Sequence, residues 1–322
     1  MSVQVPMIDA AAIEAALPMA TCIGLMADAL RSLDRNEVAQ PIRSVVHRPD
    51  AAGSLYTMPA FITAPPALSV KLITVFEQNA ARSLPTHQGL IVVFDPETGT
   101  PTALLDAAAV TAIRTAAVSA VATRALALPT AEVLAIIGTG VQARSHIAAI
   151  PLVRPIREIR IWGRSADHAH VLADEVHAAA PAVTVCTTAA DAAAGAGIIC
   201  TVTSAREPVL RGEWVGPGTH VNAIGASTPT AREIDSALTA DANVFVDSID
   251  AALTEPGDLL IPLREGVTNS NHWMPLGAVL NGHARGRRSA TEITLFKSVG
   301  LAIEDAAAAA HIARRITSAP GA

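Results

Sequence analysis

Two glycines and a small residue in the middle of the chain form the clearest chemical motif of the sequence. The segment Gly138–Ala143 reads Gly-Thr-Gly-Val-Gln-Ala and fits the pattern G-x-G-x-x-A. It follows an apolar run at 132–137 and opens an amphipathic stretch. In such a turn the first glycine allows a tight bend, the second lets the backbone approach a pyrophosphate, and the helix N-terminus attracts phosphate charge. The motif and its setting predict a dinucleotide-binding site.

The end of the next strand indicates which dinucleotide binds. An NAD site usually places Asp or Glu there, to accept a hydrogen bond from the ribose 2′-hydroxyl. Here the segment Ile161–Ser165 contains no carboxylate. Arg164 offers a planar set of donors and Ser165 a hydroxyl, which together suit a 2′-phosphate. We therefore expect NADP(H) to be preferred, with NAD(H) as a second cofactor; a solvated surface arginine is the alternative interpretation of Arg164.

Three cations in apolar surroundings are the next chemical feature. The chain has only two lysines, Lys71 and Lys297, among 23 basic residues, so a retained lysine is a candidate for proton transfer or for a compact charge. Lys71 lies between Val70 and Leu72, and Arg43 and Arg114 also have apolar neighbours. A buried cation costs several kcal/mol unless an anion pairs with it. With no acidic neighbours in the sequence, these cations predict an anionic ligand; pairing with distant carboxylates is the alternative.

The pattern of elements predicts two kinds of domain. A helix is expected at Ala10–Leu33, followed by strands and then by a long Ala-rich helix that ends before Pro129. After Pro129, apolar strands alternate with helices, which indicates a parallel sheet covered on both faces. The stretch Glu292–Ile316 is expected to be helical and to pack back on the first domain. The predicted fold class is α/β, with a Rossmann-type doubly wound parallel sheet.

Composition excludes several classes of protein. The 322 residues suggest roughly two domains, and the core must be aliphatic because 51% of residues are hydrophobic and only 3% aromatic. A net charge of −6 without a basic block argues against nucleic acid binding. The three cysteines have no CxxC spacing, so neither disulfides nor a metal site is expected. No signal segment and no apolar run of roughly 18–20 residues is recognised, so we expect a cytoplasmic protein without membrane contact.

In its chemical motifs and their order the sequence resembles the ornithine cyclodeaminase/mu-crystallin family. The resemblance covers nearly the whole chain and is carried by eight segments: 41–43, 58–60, 70–72, 86–89, 112–116, 138–143, 221–225 and 296–298. It implies a second, discontinuous α+β domain for substrate binding and dimerisation, at 1–116 plus 297–322, and a Rossmann dinucleotide-binding domain at 117–296. It also implies a homodimer that acts on small imino or amino acids.

The resemblance implies roles for individual residues. Arg43, Lys71 and Arg114 would surround the substrate carboxylate, with Met58 also in contact with the substrate. Lys71, Arg114 and Ser227 would be catalytic, and Lys71 could relay a proton to the substrate nitrogen. The implied cofactor contacts are Thr86, Arg114, Thr115, Gly138, Thr139, Gly140, Val141, Gln142, Trp162, Gly163, Arg164, Ser165, Thr201, Val202, Thr203, Ala223, Ile224, Gly225 and Ser298. His87 is expected to be a loop histidine rather than a base.

The sequence differs from part of the family at one position, and the residue type there distinguishes the family's cyclodeaminases from its reductases. Cyclodeaminases and alanine dehydrogenases carry Asp two residues after the segment that matches Val221–Gly225, whereas this chain has Ser227 there, as ketimine reductases do. A carboxylate that accepts and donates protons is useful in cyclodeamination, but reduction of a preformed ketimine needs only a hydride and a protonated nitrogen. We therefore expect NADPH-dependent reduction of Δ1-pyrroline-2-carboxylate to L-proline, with Δ1-piperideine-2-carboxylate, which would give L-pipecolate, as a second substrate.

Three other functions stay open from the sequence. The first is an ornithine cyclodeaminase, which converts L-ornithine to L-proline and ammonia. The second is an amino acid oxidoreductase that resembles alanine dehydrogenase. The third, from a different class, is an NADPH-dependent binding protein of the mu-crystallin type. Retention of Lys71 in a chain with only one other lysine argues against a protein that binds the cofactor without catalysis.

Overall fold

The computed structural model describes residues 5–50, 52–177 and 182–317. The strands are β1 (Met7–Ile8), β2 (Val38–Ala39), β3 (Ser44–His47), β4 (Ser54–Ile62), β5 (Ala67–Val75), β6 (His87–Phe94), β7 (Pro101–Asp106), β8 (Val133–Ile137), β9 (Glu158–Trp162), β10 (Val183–Val185), β11 (Ile198–Thr201), β12 (His220–Ala223), β13 (Asn243–Val246), β14 (Met274–Pro275) and β15 (Thr294–Lys297). The α-helices are α1 (Ala10–Ala16), α2 (Met19–Asp34), α3 (Ala107–Leu126), α4 (Val141–Ala149), α5 (Ala166–Val176), α6 (Ala189–Ala193), α7 (Ser236–Asp241), α8 (Ile249–Ala252), α9 (Gly257–Arg264), α10 (Leu276–Leu280) and α11 (Ala302–Thr317).

The chain divides into two compact units. The first unit comprises the described residues up to Thr115 together with those from Gly300 onward, so it is discontinuous in sequence. The second unit comprises Ala116–Val299. The chain passes from one unit to the other within α3 and again between β15 and α11. The parts of the predicted domains at 1–4 and 318–322 lie outside the described residues.

The first unit is a largely antiparallel sheet with helices packed on one face. Within the described residues its strands have the order β1-β7-β6-β5-β4-β2, with β3 also paired to β4. Period-two burial along β4 and β5 turns side chains such as Met58, Ala60 and Lys71 toward α11, which packs on both strands. The predicted helix at Ala10–Leu33 is two helices, because the chain is extended at Pro18, where α2 begins.

The second unit is a parallel sheet of the doubly wound type. Its described strands have the order β10-β9-β8-β11-β12-β15-β13-β14, and all pair in parallel. The strand order reverses direction between β8 and β11, where open α/β sheets bind ligands beyond the carboxyl ends of their strands. The predicted α/β class with a Rossmann-type parallel sheet is therefore confirmed.

The prediction of one helix over Glu292–Ile316 is wrong. Its first part is β15, a fully buried strand between β12 and β13, and α11 begins only at Ala302. Helix propensity was overridden by the parallel pairing available on both sides of the segment. The charge of Lys297 at the end of β15 is accommodated because Asp258 pairs with it at 2.8 Å.

Two parts of the described chain meet the length and hydropathy expected of membrane spans, contrary to the expectation from the sequence. One is α3, of whose most apolar window 67% is buried, and the other is the pair α1 and α2, which is bent by 79°. Burial of this extent is typical of a core helix, and α3 also carries Arg114 and Arg124. We therefore assign α3 to the protein core.

Candidate active site

The glycine turn after β8 has the geometry of a dinucleotide-binding loop. Gly138 has φ +127°, and a Cβ there would lie 2.7 Å from the carbonyl oxygen of Val202, so only glycine fits. Gly140 is the N-cap of α4, and a Cβ there would meet nothing within 4 Å. Ala143 is fully buried, which lets α4 lie close to the sheet. The turn therefore leaves open space at a helix N-terminus, as a bound pyrophosphate requires.

The end of β9 presents the residues that the sequence assigned to the adenosine ribose. Trp162 and Gly163 are half-buried and Arg164 is exposed, directly after the strand. Ser165 is the N-cap of α5, and its hydroxyl oxygen accepts a hydrogen bond from the backbone N–H of His168 at 3.3 Å. This role leaves the Ser165 hydroxyl hydrogen available as a donor. The residues at this strand end are thus suited to hold a 2′-phosphate.

A buried carboxylate joins the loops that follow β11 and β12. Glu233 is fully buried and accepts hydrogen bonds from the Thr201 hydroxyl (2.9 Å), the Thr203 N–H (2.5 Å) and the Gly225 N–H (2.6 Å). Burial, with a further contribution from Asp258, raises the pKa of Glu233. The Thr201 hydroxyl is consequently engaged inside the protein. Sequence reasoning missed Glu233, whose only signal was its place shortly after the matched segment 221–225.

Two further buried charged groups, Asp258 and Lys297, lie next to Glu233. The Asp258 carboxylate accepts from the Glu233 backbone N–H at 2.7 Å and pairs with the Lys297 ammonium at 2.8 Å. Next to Lys297, the Ser298 hydroxyl donates to Asp247 at 3.1 Å, and Ser298 is only 2% exposed. Lys297 therefore belongs to the buried network around Glu233, and Ser298 is paired with Asp247. Val202, Ala223 and Ile224, which the sequence also assigned to the cofactor, are all buried beside it.

In the first unit, α11 brings two carboxylates to the predicted cations. The Lys71 ammonium lies 2.6 Å from Asp305 Oδ2, and Arg114 Nε lies 3.0 Å from Asp305 Oδ1. Arg114 Nη1 also lies 2.8 Å from Glu304 Oε2. All four side chains are at most 5% exposed. Together with Arg43, whose Nη2 donates to the Gly300 carbonyl at 2.7 Å, they form what we call the cation cluster.

Pairing with distant carboxylates, the alternative that the sequence left open, is what the structure shows for Lys71 and Arg114. Asp305 is 191 residues from Arg114 and 234 from Lys71 in the sequence, and Glu304 is 190 from Arg114. The only signal was the two adjacent acids in the otherwise apolar start of α11. Three cations against two carboxylates still leave one positive charge in excess. Burial lowers the pKa of Lys71 to about 8, although Asp305 opposes the shift. Burial alone would raise the pKa of Asp305, but Arg114 and Lys71 lower it.

Backbone packing around the cation cluster is close. Gly300 has φ +80°, and a Cβ there would lie 2.6 Å from Arg114 Nη1, so a side chain at this position would displace the guanidinium. Met58 is buried opposite Lys71 in the β4–β5 register, and Thr115 follows Arg114 as a buried residue. The cluster is therefore held by a strand, two helices and a glycine turn, all of which fix side-chain positions.

The remaining predicted residues lie nearer the surface. The Thr86 hydroxyl lies 3.0 Å from His87 Nδ1. The expectation that His87 lies in a loop is wrong, because His87 is the first residue of β6. Desolvation and the positive charge of Lys71 lower the pKa of its imidazole. Ser227 is exposed in the segment after β12. The structure thus brings Lys71, Arg114 and Arg43 together in the first unit.

In the second unit most of the predicted cofactor residues are grouped at the carboxyl ends of three neighbouring strands, and Ala223, Ile224 and Gly225 lie at the end of a fourth, β12. The residues at the ends of β8, β9 and β11 are Gly138, Thr139, Gly140, Val141, Gln142, Trp162, Gly163, Arg164, Ser165, Thr201, Val202 and Thr203. The strands lie side by side in the order β9-β8-β11. These strand ends provide open space at Gly140, hydrogen-bond donors at Arg164 and Ser165, and a loop after β11 that Glu233 holds in place. Such an arrangement fits a nicotinamide dinucleotide.

Comparisons with known proteins agree with this geometry. The sequence profile of the ornithine cyclodeaminase/mu-crystallin family matches residues 4–319. The chain is 42% identical to the ketimine reductase mu-crystallin of Mus musculus over 272 residues, which is 84% of this chain and 83% of that protein. It is 37% identical to the Delta(1)-pyrroline-2-carboxylate reductase of Bacillus cereus (strain ZK / E33L) over 294 residues, 90% of each chain.

A solved structure gives the same result for the fold. The Delta(1)-pyrroline-2-carboxylate reductase of Thermococcus litoralis, in complex with NADH and L-proline, superposes with a TM-score of 0.95 at 33% identity. The match covers 97% of this chain and 98% of that chain. The profile match and the identities confirm the resemblance that the sequence motifs indicated. The chain belongs to the ornithine cyclodeaminase/mu-crystallin family.

Proposed function

We propose that this protein reduces a cyclic ketimine carboxylate with a nicotinamide cofactor, converting Δ1-pyrroline-2-carboxylate to L-proline. Δ1-Piperideine-2-carboxylate, which would give L-pipecolate, is the second expected substrate. The observation that carries the proposal is the cation cluster, because its single excess positive charge is complementary to one substrate carboxylate. The names of the mouse and bacterial relatives and the L-proline in the solved structure support the same substrate class.

The chain's own side chains bind and orient the substrate. Arg114 and Arg43 bind the carboxylate, and the Lys71 ammonium provides the proton that the ring nitrogen takes up. When bound, NAD(P)H supplies the hydride that the C2 carbon of the C=N bond accepts. Orientation in a partly desolvated site accounts for most of the expected rate enhancement, because the ketimine carbon is already electrophilic.

The glycine turn and the end of β9 hold the cofactor in this proposal. The pyrophosphate binds at the N-terminus of α4, where Gly140 leaves open space. NADP(H) is preferred because the exposed Arg164 and the Ser165 hydroxyl can both donate to a 2′-phosphate. The NADH in the solved relative supports a nicotinamide cofactor and leaves NAD(H) as the second choice. The second unit is accordingly the dinucleotide-binding domain and the first the substrate domain.

The first unit also forms the interface of a homodimer in this proposal. Opposite the face packed by α11, the sheet carries an apolar row across five strands: Pro59, Val70, Val92, Leu104 and Met7. Leu72 and Val46 on the same face are 37% and 62% exposed. Pro59, Val70, Val92 and Leu104 are partly exposed and Met7 is exposed. A continuous apolar surface that is partly open to solvent is typical of a protein–protein contact, and a second copy of the same sheet is self-complementary to it.

The three cysteines, all within the described part of the chain, are free thiols, and Cys22 and Cys200 are buried. This state fits a reducing compartment, so we place the protein in the cytoplasm.

The deciding experiment compares two reactions of the purified protein. We expect NADPH oxidation with Δ1-pyrroline-2-carboxylate to be much faster than ammonia release from L-ornithine with NAD⁺ or NADP⁺, because Ser227 supplies no carboxylate. Δ1-Piperideine-2-carboxylate and an acyclic α-imino acid, assayed beside them, define the ring preference. Ornithine turnover comparable to imine reduction would establish the cyclodeaminase instead. Cofactor binding without turnover of any imine would establish a binding protein.

A further inference from the structure

One carboxylate of α11 bridges the two most buried cations of the protein's first unit. Asp305 Oδ2 contacts the Lys71 ammonium at 2.6 Å, and Oδ1 of the same group contacts Arg114 Nε at 3.0 Å. Its neighbour Glu304 pairs with the guanidinium, through Arg114 Nη1 at 2.8 Å. Asp305 is therefore the one acid among these contacts that couples the lysine to the arginine.

The fold leaves these groups little freedom to move. Lys71 projects from the middle of β5, Arg114 from α3, and Asp305 from the first turn of α11. Gly300 packs against the guanidinium so closely that a Cβ would lie 2.6 Å from Nη1. Two carboxylates in the first turn of a helix are also stabilised by the helix dipole. A side chain held in this way can set both the position and the charge of its partners.

We propose that Asp305 is a positioning residue for the reduction, whose two oxygens hold the Lys71 ammonium and the Arg114 guanidinium side by side as proton donor and carboxylate binder. This inference rests on the proposed function. In the reaction the hydride from NAD(P)H forms a C–H bond at C2, the C=N π pair takes a proton from the Lys71 ammonium, and NAD(P)⁺ and the cyclic amino acid result. Lys71 then regains a proton from water.

The charge of Asp305 determines when Lys71 can donate. Burial lowers the pKa of Lys71 to about 8, Arg114 and Arg43 lower it as well, and Asp305 opposes them. The titratable and charged groups around this site are Asp305 and Glu304 on α11, Arg114 on α3, Arg43 before β3, Tyr56 on β4, His87 on β6 and Cys22 on α2. Removal of the Asp305 charge lowers the pKa of Lys71 further. A donor must be protonated, so the alkaline limb of the rate profile then moves to lower pH.

The test uses the fact that Lys71 and Lys297 are the only lysines of the chain. Protein labelled with [6-¹³C]lysine gives two side-chain NMR signals, and Lys71→Arg assigns them by removing one. The Lys71 signal is titrated in wild type, Asp305→Asn and Glu304→Gln. Glu304→Gln is the matched control, because it removes an equally buried charge from the same helix and from the same arginine, whereas the carboxylate paired with the Lys71 ammonium is that of Asp305.

We expect Asp305→Asn to lower the Lys71 titration midpoint by about one pH unit or more, since an opposite charge at this range contributes about 1–3. Glu304→Gln should change the midpoint by much less. The alkaline limb of kcat/KM should move with the midpoint, and Asp305→Asn should recover activity toward wild type when the pH is lowered. If Asp305→Asn does not fold, Asp305→Glu, which retains the charge, should keep the wild-type midpoint.

Three outcomes overturn the proposal. A Lys71 midpoint unchanged in Asp305→Asn would show that the carboxylate does not control the ammonium. A shift equal in Glu304→Gln would show a general loss of charge rather than a specific contact. A displaced midpoint in Asp305→Glu, with Asp305→Asn unfolded, would also contradict it. Failure of the proposed function is a separate result, because wild type would then not reduce the ketimine while the NMR titration would still report on Asp305.

Discussion

At the scale of a residue, the buried ion pair of Lys71 and Asp305 is informative because burying two charges costs desolvation free energy. Taking two charges out of water costs several kcal/mol per ion, and apolar replacements are often as stable. Lys71 is 3% exposed and its partner 1%. The chain uses Arg for every other basic position except Lys297, yet it keeps at Lys71 the one cation that readily transfers a proton. We infer that the position is maintained for catalysis.

Lys71→Ala tests that inference. We expect kcat for ketimine reduction to fall by about a hundredfold or more, because a positioned proton donor contributes about 10²–10⁴. The affinity for NADPH should stay near the wild-type value, since the glycine turn lies in the other unit. Steady-state kinetics and NADPH fluorescence titration measure the two quantities. A variant with the wild-type kcat/KM would mean that Lys71 serves only the fold.

Arg164→Ala tests the cofactor preference. A charge-assisted hydrogen bond contributes about 1.5–3 kcal/mol, which is roughly 10- to 150-fold in affinity. We expect kcat/KM for NADPH to fall by that factor and kcat/KM for NADH to change little, because NADH has no 2′-phosphate. Higher salt should also reduce the wild-type preference, since Arg164 is exposed.

The matched control for Arg164 is Arg157→Ala, which removes an exposed arginine just before the same strand, β9. Neither cofactor should respond to that change. Equal losses for NADPH and NADH in Arg164→Ala would assign the arginine to the fold rather than to the phosphate.

At the scale of elements, the loops after β11 and β12 depend on one side chain for their mutual position. The Glu233 carboxylate accepts hydrogen bonds from the backbone N–H groups of Thr203 and Gly225 and from the Thr201 hydroxyl. A single carboxylate therefore fixes the positions of both loops. An amide at this position would turn an NH₂ group toward one of these donors. The loops carry residues that the family resemblance assigns to the cofactor, so a change in their position should alter cofactor binding.

We expect Glu233→Gln to weaken NADPH binding by roughly tenfold or more, because hydrogen bonds to a charged group contribute about 1.5–3 kcal/mol each. The KM for the ketimine should change much less, since the cation cluster belongs to the other unit. Glu213→Gln, at a glutamate whose side chain is 68% exposed, is the control. Parallel losses in both KM values, with a lowered Tm, would reduce Glu233 to a residue of general stability.

Local patterns in the sequence predict some of these elements and not others. The turn at Gly138 and the strand before it are recognisable because spacing and apolar runs are local signals. Asp305 is not recognisable from the sequence as the partner of Lys71, since no local pattern encodes a contact between residues so far apart. The Ala-rich composition of the C-terminal stretch predicts a helix over β15 as well. The structure has a strand there because the segment pairs with β12 and β13, which are distant in the sequence. Local sequence patterns do not predict contacts between segments that are distant in the sequence.

At the scale of the whole molecule, the outer face of the first sheet exposes apolar side chains that no helix of the same unit covers within the described residues. The inner face is covered by helices, whereas Met7, Val46 and Leu72 on the outer face are 58%, 62% and 37% exposed. A partly exposed sheet face with a continuous apolar row favours association, and in a two-fold symmetric dimer the same residues of both copies cover each other.

Wild-type protein should therefore be a dimer in light scattering at micromolar concentration, and Met7→Asp/Leu72→Asp should raise the dimer dissociation constant by about 30-fold or more. That estimate follows because a central interface substitution costs about 2 kcal/mol or more, and the new carboxylates of two copies would also repel each other. Val171→Asp is the control: Val171 is 52% exposed on α5 of the other unit, so its substitution should leave the dimer intact. Sedimentation velocity over a dilution series measures all three proteins. A monomeric wild type, or dissociation by Val171→Asp alone, would remove the first sheet from the interface.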